Sequence, residues 1–225
     1  MPGPGGGYGH TLSLIDETGV VLTAAHCFYK TGQQLGWKVA SKALPLLRFG
    51  AYLKDEPEED QGGVRTYQAV SAIVHESFTV DDNFDIALVL VETALTGRKT
   101  IRLPAATPNP PVRVGTLLSL TGWGRLNGDL SDETATAERL QETSQLDLID
   151  DDDCFSAYKT NLLGTTSKFS NDSMLCAGTL NRNTPFSKKR INVDACPGDS
   201  GGPLFRKDLG NDGLGDPSKD LQASA

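Results

Sequence analysis

The chain has 225 residues, of which 38% are hydrophobic, and a formal net charge of −8. This length suits one all-β domain or two small domains. The negative charge argues against nucleic-acid binding, which needs a basic surface, and no apolar run reaches the roughly 18 residues of a membrane-spanning helix. Residues 1–10 lack the basic and apolar regions of a signal peptide, so we expect either a cytosolic protein or a chain whose true start is missing.

The first half of the chain is predicted to form short strands. A glycine-containing polar turn separates the first two and indicates a β-hairpin. Small residues then precede His26, which suggests one turn of helix. Asp85 opens an apolar run that predicts a strand buried on both faces, and a carboxylate at the edge of a core needs a partner. The predicted strands cover residues 11–15, 20–23, 44–50, 64–74 and 85–91.

An acidic loop is predicted over residues 54–60. Its five carboxylates could hold Ca²⁺, because this ion prefers oxygen ligands. The ligand spacing matches no known calcium loop, so a solvated surface loop is the favoured interpretation. We expect no metal site.

The second half begins after four prolines in residues 103–112, which predict a stiff linker between two halves. Strands are predicted over residues 114–121, 138–149 and 174–178. A short helix over residues 150–158 carries carboxylates at its positive end. Short strands at this spacing favour a sandwich or a barrel. The composition of residues 207–225 predicts a disordered tail.

A serine near the end of the chain lies in a run of glycines, prolines and aspartates, Asp194-Ala-Cys-Pro-Gly198-Asp-Ser200-Gly-Gly-Pro203. Glycines in this run allow backbone angles that other residues resist. Ser200 could therefore be a nucleophile whose neighbouring N–H groups point at a developing oxyanion. The alternative is a tight polar turn, and the choice depends on whether the chain supplies a base.

The chain has three histidines that could act as this base. His10 lies in the glycine-rich start, and His75 lies in a strand-to-turn segment that predicts a surface or hinge residue. His26 follows a buried strand and is flanked by small residues. We therefore select His26.

Chain order then separates the possible folds. The glycines around Ser200 also fit the G-x-S-x-G elbow of α/β-hydrolases, but in that fold the histidine follows the serine, and no histidine follows Ser200. The subtilisin order begins with an aspartate, and only Asp16, in a turn, precedes His26. The order His26, Asp85, Ser200 is that of the chymotrypsin-type triad.

Five motifs resemble the trypsin branch of the chymotrypsin-like serine peptidases, and they occur in that family's order over roughly residues 11–206. The resemblance implies an all-β fold of two antiparallel six-stranded-type β-barrels, the first over about residues 11–103 and the second over about 112–206, with the catalytic site between them. The motifs are Val21-Leu-Thr-Ala-Ala-His26-Cys27, Asp85-Ile-Ala-Leu88, Thr121-Gly-Trp-Gly124, Met174-Leu-Cys-Ala-Gly178 and Gly198-Asp-Ser-Gly-Gly-Pro203.

The resemblance also implies a role for each site residue. Ser200 would attack the scissile carbonyl, His26 would carry its proton to the leaving amine, and Asp85 would fix the histidine tautomer and stabilise its cation. The backbone N–H groups of Gly198 and Ser200 would hold the oxyanion. Asp194 would lie at the floor of the specificity pocket, where a carboxylate selects Lys or Arg.

Further expectations follow from the same resemblance. Asp199 matches the family residue that binds the freed N-terminal amine after zymogen cleavage, and Cys154 and Cys176 match a family disulfide. The pairing of Cys27 and Cys196 stays open. We expect an extracellular monomer without a cofactor that acts on proteins or peptides with Lys or Arg at the cleavage site. The one sequon, at Asn171, matters only if the chain is secreted.

Both ends of the chain depart from the family pattern. An Ile-Val-Gly-Gly type start is absent, and only residues 203–206 resemble the family segment that follows the serine. We therefore expect a product truncated at both ends, with an incomplete second barrel. The alternative function is an inactive peptidase homologue that acts as a binding or inhibitor module.

Overall fold

The computed structural model describes residues 11–28, 44–59, 63–79, 83–104, 112–126, 135–159, 169–178 and 194–207, and the backbone of residues 221–224. These residues form two antiparallel five-stranded sheets and one α-helix. The all-β prediction is confirmed, and the two sheets fit the two-barrel fold that the sequence implied. Within this part of the chain, no helix has both the length and the hydrophobicity needed to span a bilayer.

The first sheet has the strand order β1-β2-β5-β4-β3. Its hairpin forms as predicted, because Gly19 adopts a φ of 97° and its N–H donates to the carbonyl oxygen of Asp16 at 3.0 Å. β5 lies at the centre and pairs with both β2 and β4. The strands are β1 (Ser13–Asp16), β2 (Val20–Thr23), β3 (Leu46–Phe49), β4 (Arg65–Val74) and β5 (Ala87–Val91).

The core of this half lies on one face of the sheet. Ala87, Val89 and Val91 of β5 are buried in it, whereas Leu88 and Leu90 are only half-buried. The prediction that this strand is buried on both faces is therefore wrong for one face. A continuous apolar run predicts a buried strand. Whether the second face of that strand is buried depends on which other parts of the chain pack against it.

The second sheet has the strand order β10-β9-β6-β7-β8. The helix α1 (Asp151–Lys159) follows β7 as predicted, whereas β8 is shorter than the predicted strand over residues 174–178. Cys154 of α1 and Cys176 form a disulfide beside a small core that contains Ile149 and Phe169. The strands are β6 (Leu117–Gly122), β7 (Gln141–Leu148), β8 (Ala177–Gly178), β9 (Leu204–Arg206) and β10 (Leu221–Ser224).

Within the predicted disordered tail of residues 207–225, strand β10 corrects the prediction for residues 221–224. Leu221–Ser224 pair antiparallel with β9. A polar composition disfavours a packed core, but strand pairing uses backbone groups that every such residue carries, and β9 would otherwise present an open edge. Residues 208–220 and 225 lie outside the described residues, as do residues 105–111 of the predicted linker. The division into domains stays a prediction.

Candidate active site

His26 and Asp85 are brought together by the pairing of β2 with β5. Thr23, the last residue of β2, lies opposite Ala87, the first residue of β5. In an antiparallel pair, the chain leaving one strand runs beside the chain entering the other. His26, in the short 3₁₀ helix Ala25–Phe28, therefore lies next to Asp85.

The Asp85 carboxylate contacts His26 at two points. Its Oδ2 lies 2.6 Å from Nδ1 of the imidazole, and its Oδ1 accepts the backbone N–H of His26 at 2.7 Å. One oxygen therefore fixes the ring while the other fixes the backbone that carries it. Because an ionised carboxylate can only accept, the Nδ1 atom carries a proton. The neutral imidazole then has its acceptor at Nε2.

The same contact changes the acidity of the histidine. The hydrogen bond with Asp85, assisted by one with the Cys27 side chain, raises the pKa of His26 from 6.5 to about 10, and partial burial opposes this rise. The arrangement therefore stabilises the imidazolium cation. That cation forms whenever His26 takes a proton from a neighbouring group.

The residue before Asp85 has an unusual backbone. Phe84 adopts a φ of 53°, and its carbonyl oxygen accepts the N–H of Ile86 at 2.8 Å. Its ring stacks on His75 with centroids 4.9 Å apart and planes 10° from parallel. A positive φ is costly for a bulky residue and marks a locally constrained segment. We infer that the stack helps to hold this turn, and so to aim the Asp85 carboxylate.

The sequence did not predict a role for Phe84. The only signal was an aromatic residue between a polar segment and the aspartate, which is too common to be informative. His75 is exposed, as expected for a surface residue, and its Nδ1 accepts the N–H of Ser77 at 3.1 Å.

The segment that carries Ser200 packs against the end of β2. The carbonyl oxygen of Ser200 accepts the N–H of Thr11 at 3.1 Å. A Cβ atom at Gly201, which has a φ of 79°, would lie 2.2 Å from Oγ1 of Thr23 and 3.2 Å from the backbone nitrogen of Ala24. Only glycine permits this close approach. The structure therefore brings the Ser200 segment to the strand end that leads into His26.

The Asp199 carboxylate anchors the other side of this segment. Its two oxygens accept the N–H groups of Gly124 at 2.8 Å and Cys196 at 3.0 Å. A Cβ atom at Gly122 would lie 2.0 Å from Oδ1 of Asp199, and one at Gly124 would lie 2.6 Å from it. Gly122 and Gly124 of the Thr121-Gly-Trp-Gly124 motif have no side chains, and they thus form a recess that holds the Asp199 carboxylate.

Gly198 lies in the turn of residues 196–199, directly before Ser200. It is buried and has a φ of 103°. A Cβ atom added to it would lie 3.0 Å from the Cα atom of Gly124. The turn is closed by the N–H of Asp199, which donates to the carbonyl oxygen of Cys196 at 2.9 Å. A glycine is required here for both conformation and space.

Residues 5–214 match the family model described as Trypsin. The chain belongs to the trypsin family. Transmembrane protease serine 11C of Mus musculus is 31% identical over 193 residues, which are 84% of this chain and 36% of that protein. Snake venom serine proteinase 12 of Crotalus adamanteus is 28% identical over 82% of this chain and 58% of its own length. Clotting factor C of Tachypleus tridentatus is 30% identical over 87% of this chain and 18% of its own length. The chain thus spans about a fifth to three fifths of these curated relatives.

Two residues to which the resemblance assigned a role have surroundings that the sequence did not predict. Asp194 is exposed, and its Oδ1 accepts the N–H of Ala195 at 2.9 Å. The neighbouring residues 179–193 and 208–220 lie outside the described part of the chain, so its place in a specificity pocket stays a prediction. Asp199 is bound by the two amides described above, and its pairing with an N-terminal amine stays a prediction.

The four cysteines form one disulfide and two thiols, and the disulfide is the one that the trypsin-family resemblance implied. The disulfide between Cys154 and Cys176 is confirmed, while Cys27 and Cys196 are both thiols. Burial, together with the carboxylates of Asp199 and Asp194, raises the pKa of the Cys196 thiol. Cys196 is therefore held in its protonated, less reactive form.

The acidic loop has a structural role in its described part. Oε2 of Glu56 accepts the N–H groups of Tyr52 and Leu53 at 2.8 and 3.0 Å, which lowers the pKa of this carboxyl. Among the described residues, no three His, Cys, Asp or Glu side chains converge in a way that could hold a metal ion. Asp60 lies outside them.

Proposed function

We propose that the protein is a serine endopeptidase that hydrolyses peptide bonds through an acyl-enzyme, with His26, Asp85 and Ser200 as its triad. The observation that carries the proposal is the two-point contact of Asp85 with His26, since it fixes the orientation of the imidazole and stabilises its cation. Family membership supports the reaction class. The packing of the Ser200 segment against the end of β2 supports the choice of nucleophile.

The proposed reaction follows the triad template. Nε2 of His26 removes the proton of Ser200 as Oγ attacks the carbonyl carbon, and the imidazolium is stabilised by Asp85. The oxyanion is held by the N–H groups of Gly198 and Ser200. His26 then protonates the leaving amine, and the C–N bond breaks. A water molecule attacks the acyl-enzyme by the same route and regenerates Ser200.

We propose a preference for Lys or Arg on the acyl side of the cleaved bond, with Asp194 as the acidic partner. The substrates would be extracellular proteins or peptides, and the enzyme would act as a monomer. A carboxylate rewards a cationic side chain most when the pair is shielded from water. The proposal therefore requires residues beside Asp194 to enclose it when substrate binds.

The exposure of Asp194 favours a second candidate function, an inactive homologue that binds proteins without cleaving them. An open site could retain the triad and still bind a basic side chain weakly. The two functions differ in whether Ser200 reacts.

The test is turnover of fluorogenic peptides that end in Arg, Lys, Leu or Phe before the reporter, combined with labelling by a fluorophosphonate. The peptidase proposal expects cleavage of the Arg and Lys peptides and labelling, both lost in Ser200→Ala. Asp194→Ala should reduce cleavage of the basic peptides while labelling persists. A folded protein that neither cleaves nor labels would support the inactive homologue.

A further inference from the structure

The sequon Asn171-Asp172-Ser173 lies in an exposed turn of the second half. The N–H groups of Ser173 and Met174 both donate to the carbonyl oxygen of Ser170, at 3.3 and 2.9 Å. Asn171 and Asp172 are exposed at the tip of this turn, and Ser173 is half-buried. The Asn171 amide can therefore carry a large substituent in the folded protein.

An aromatic ring faces the same place. Asn171 lines a shallow pocket of about 230 Å³ together with Asp151, Asp152 and Phe155. Phe155 is 52% exposed, whereas Cys154 and Ala157 of the same helix are buried. The Lys159 ammonium lies over this ring, 5.9 Å from its centroid. A single exposed aromatic needs no cover by itself, but this one lines the same pocket as the Asn171 amide.

We propose that Asn171 carries an N-linked glycan whose first sugar covers Phe155. The apolar face of a sugar ring can pack on an aromatic ring, and its hydroxyls can bond to the carboxylates of Asp151 and Asp152. The side-chain nitrogen of Asn171 bonds to the anomeric carbon of a lipid-diphosphate-linked oligosaccharide. The bond from that carbon to the diphosphate breaks, and the amide loses one proton. The proposal requires passage through the secretory pathway and is independent of peptidase activity.

A second contact involves the serine of the sequon. The Ser173 hydroxyl, which the sequon needs, donates to Oδ1 of Asn83 at 2.8 Å in the folded chain. That contact joins the sequon turn to the segment before Asp85. The hydroxyl that the sequon needs is therefore engaged in the folded chain, and we expect transfer to precede this contact.

The same contact determines which variants are informative. Ser173→Ala would remove the sequon and the bond to Asn83 together, so it cannot separate the two. Asn171→Gln removes the sequon and leaves the bond. Asn83→Ala removes the bond and leaves the sequon.

The experiment is expression of the full chain behind a cleavable leader in an animal cell line, with Ser200→Ala as the background. Leader cleavage, read at the new N-terminus, selects the molecules that entered the secretory pathway. We expect these molecules to carry a glycosidase-sensitive adduct at Asn171, as judged by peptide mapping. The adduct should persist in Asn83→Ala and be absent in Asn171→Gln. Leader-cleaved protein without the adduct would overturn the proposal.

A thermal measurement tests the contact with Phe155. Trimming the glycan to its first sugar should leave Tm unchanged, and removing that sugar should lower Tm by about 2 °C, the shift expected for one modest contact in a chain of this size. Phe155→Tyr should retain this shift, and Phe155→Ala should lose it. A shift that is equal in Phe155→Ala would overturn the contact while leaving the attachment established.

Discussion

The pair of His26 and Asp85 shows how one carboxylate can set both position and protonation. Its two oxygens fix the backbone and the ring, and the ring bond raises the pKa of His26 to about 10. A pKa that is higher in the folded than in the unfolded chain means that the protonated form stabilises the fold. The stabilisation is complete below the unfolded pKa of 6.5 and is lost as pH rises through about 10.

The first prediction concerns this pH dependence. The free energy of unfolding should be compared between Ser200→Ala and Ser200→Ala/Asp85→Asn by urea denaturation. The difference should be largest at pH 6.5 and should shrink toward pH 10, since deprotonation removes the ionic part of the contact. Titration of other groups is common to both variants and cancels. A difference that stays constant over this range would contradict the prediction.

Phe84 illustrates a constraint that resides in the backbone. Its φ of 53° is tolerated by Asn but is unfavourable for β-branched residues. Phe84→Val and Phe84→Asn both remove the stack with His75. The difference between their free energies of unfolding therefore reports the cost of the positive φ. We expect Phe84→Val to be less stable by about 1–3 kcal/mol, as measured by urea unfolding. Equal stabilities would show that the segment relaxes to another conformation.

At the scale of elements, one disulfide joins α1 to the residue before β8. It closes a loop with a sequence separation of 22 residues. Replacing both Cys154 and Cys176 by Ser should lower the free energy of unfolding by about 3 kcal/mol, mainly through the entropy of the unfolded chain. The control is reduced wild-type protein, whose free energy of unfolding should match that of the double variant. A loss well below 1 kcal/mol would indicate that the unfolded chain is already restricted here.

The recess after β6 is a second feature of this scale. A Cβ atom at Gly124 would lie 2.6 Å from both carboxylate oxygens of Asp199. Gly124→Ala should therefore displace Asp199 and, with it, the turn of Gly198. We expect kcat/KM to fall by about 10²-fold, the usual effect of losing one oxyanion donor. Gly178→Ala, where a Cβ meets nothing within 4 Å, is the control and should be near wild type.

At the scale of the whole molecule, the Ser200 segment of the second half of the chain contacts residues of β2 and of the segment before β1. Thr11 binds the carbonyl of Ser200, and Gly201 lies against Thr23. These contacts join residues almost two hundred positions apart, and no local pattern encodes them. They bring the segment of the predicted nucleophile to the end of β2, the strand that leads into the predicted base.

Gly201→Ala tests this contact. Its Cβ would lie 2.2 Å from Oγ1 of Thr23 and 2.6 Å from the carbonyl oxygen of Thr11. The Ser200 segment must then move away from the end of β2, so fluorophosphonate labelling of Ser200 should fall by at least about 10²-fold. The His26–Asp85 contact should survive, as judged by an unchanged pH dependence of unfolding. Labelling close to wild type would mean that this packing is not needed to place Ser200.

The sequence by itself determined the all-β class, the hairpin, the helix after β7 and the pairing of Cys154 with Cys176. These follow from local periodicity and turn chemistry, or from motifs whose order identifies the family. Only the tertiary structure decided that one face of β5 is half-covered, that Leu221–Ser224 form a strand, and that Phe84 has a positive φ. It also decided that Asp199 is held by amides in a recess of glycines. Each of these features depends on residues distant in the chain, because coverage, edge pairing and close approach are properties of neighbours in space.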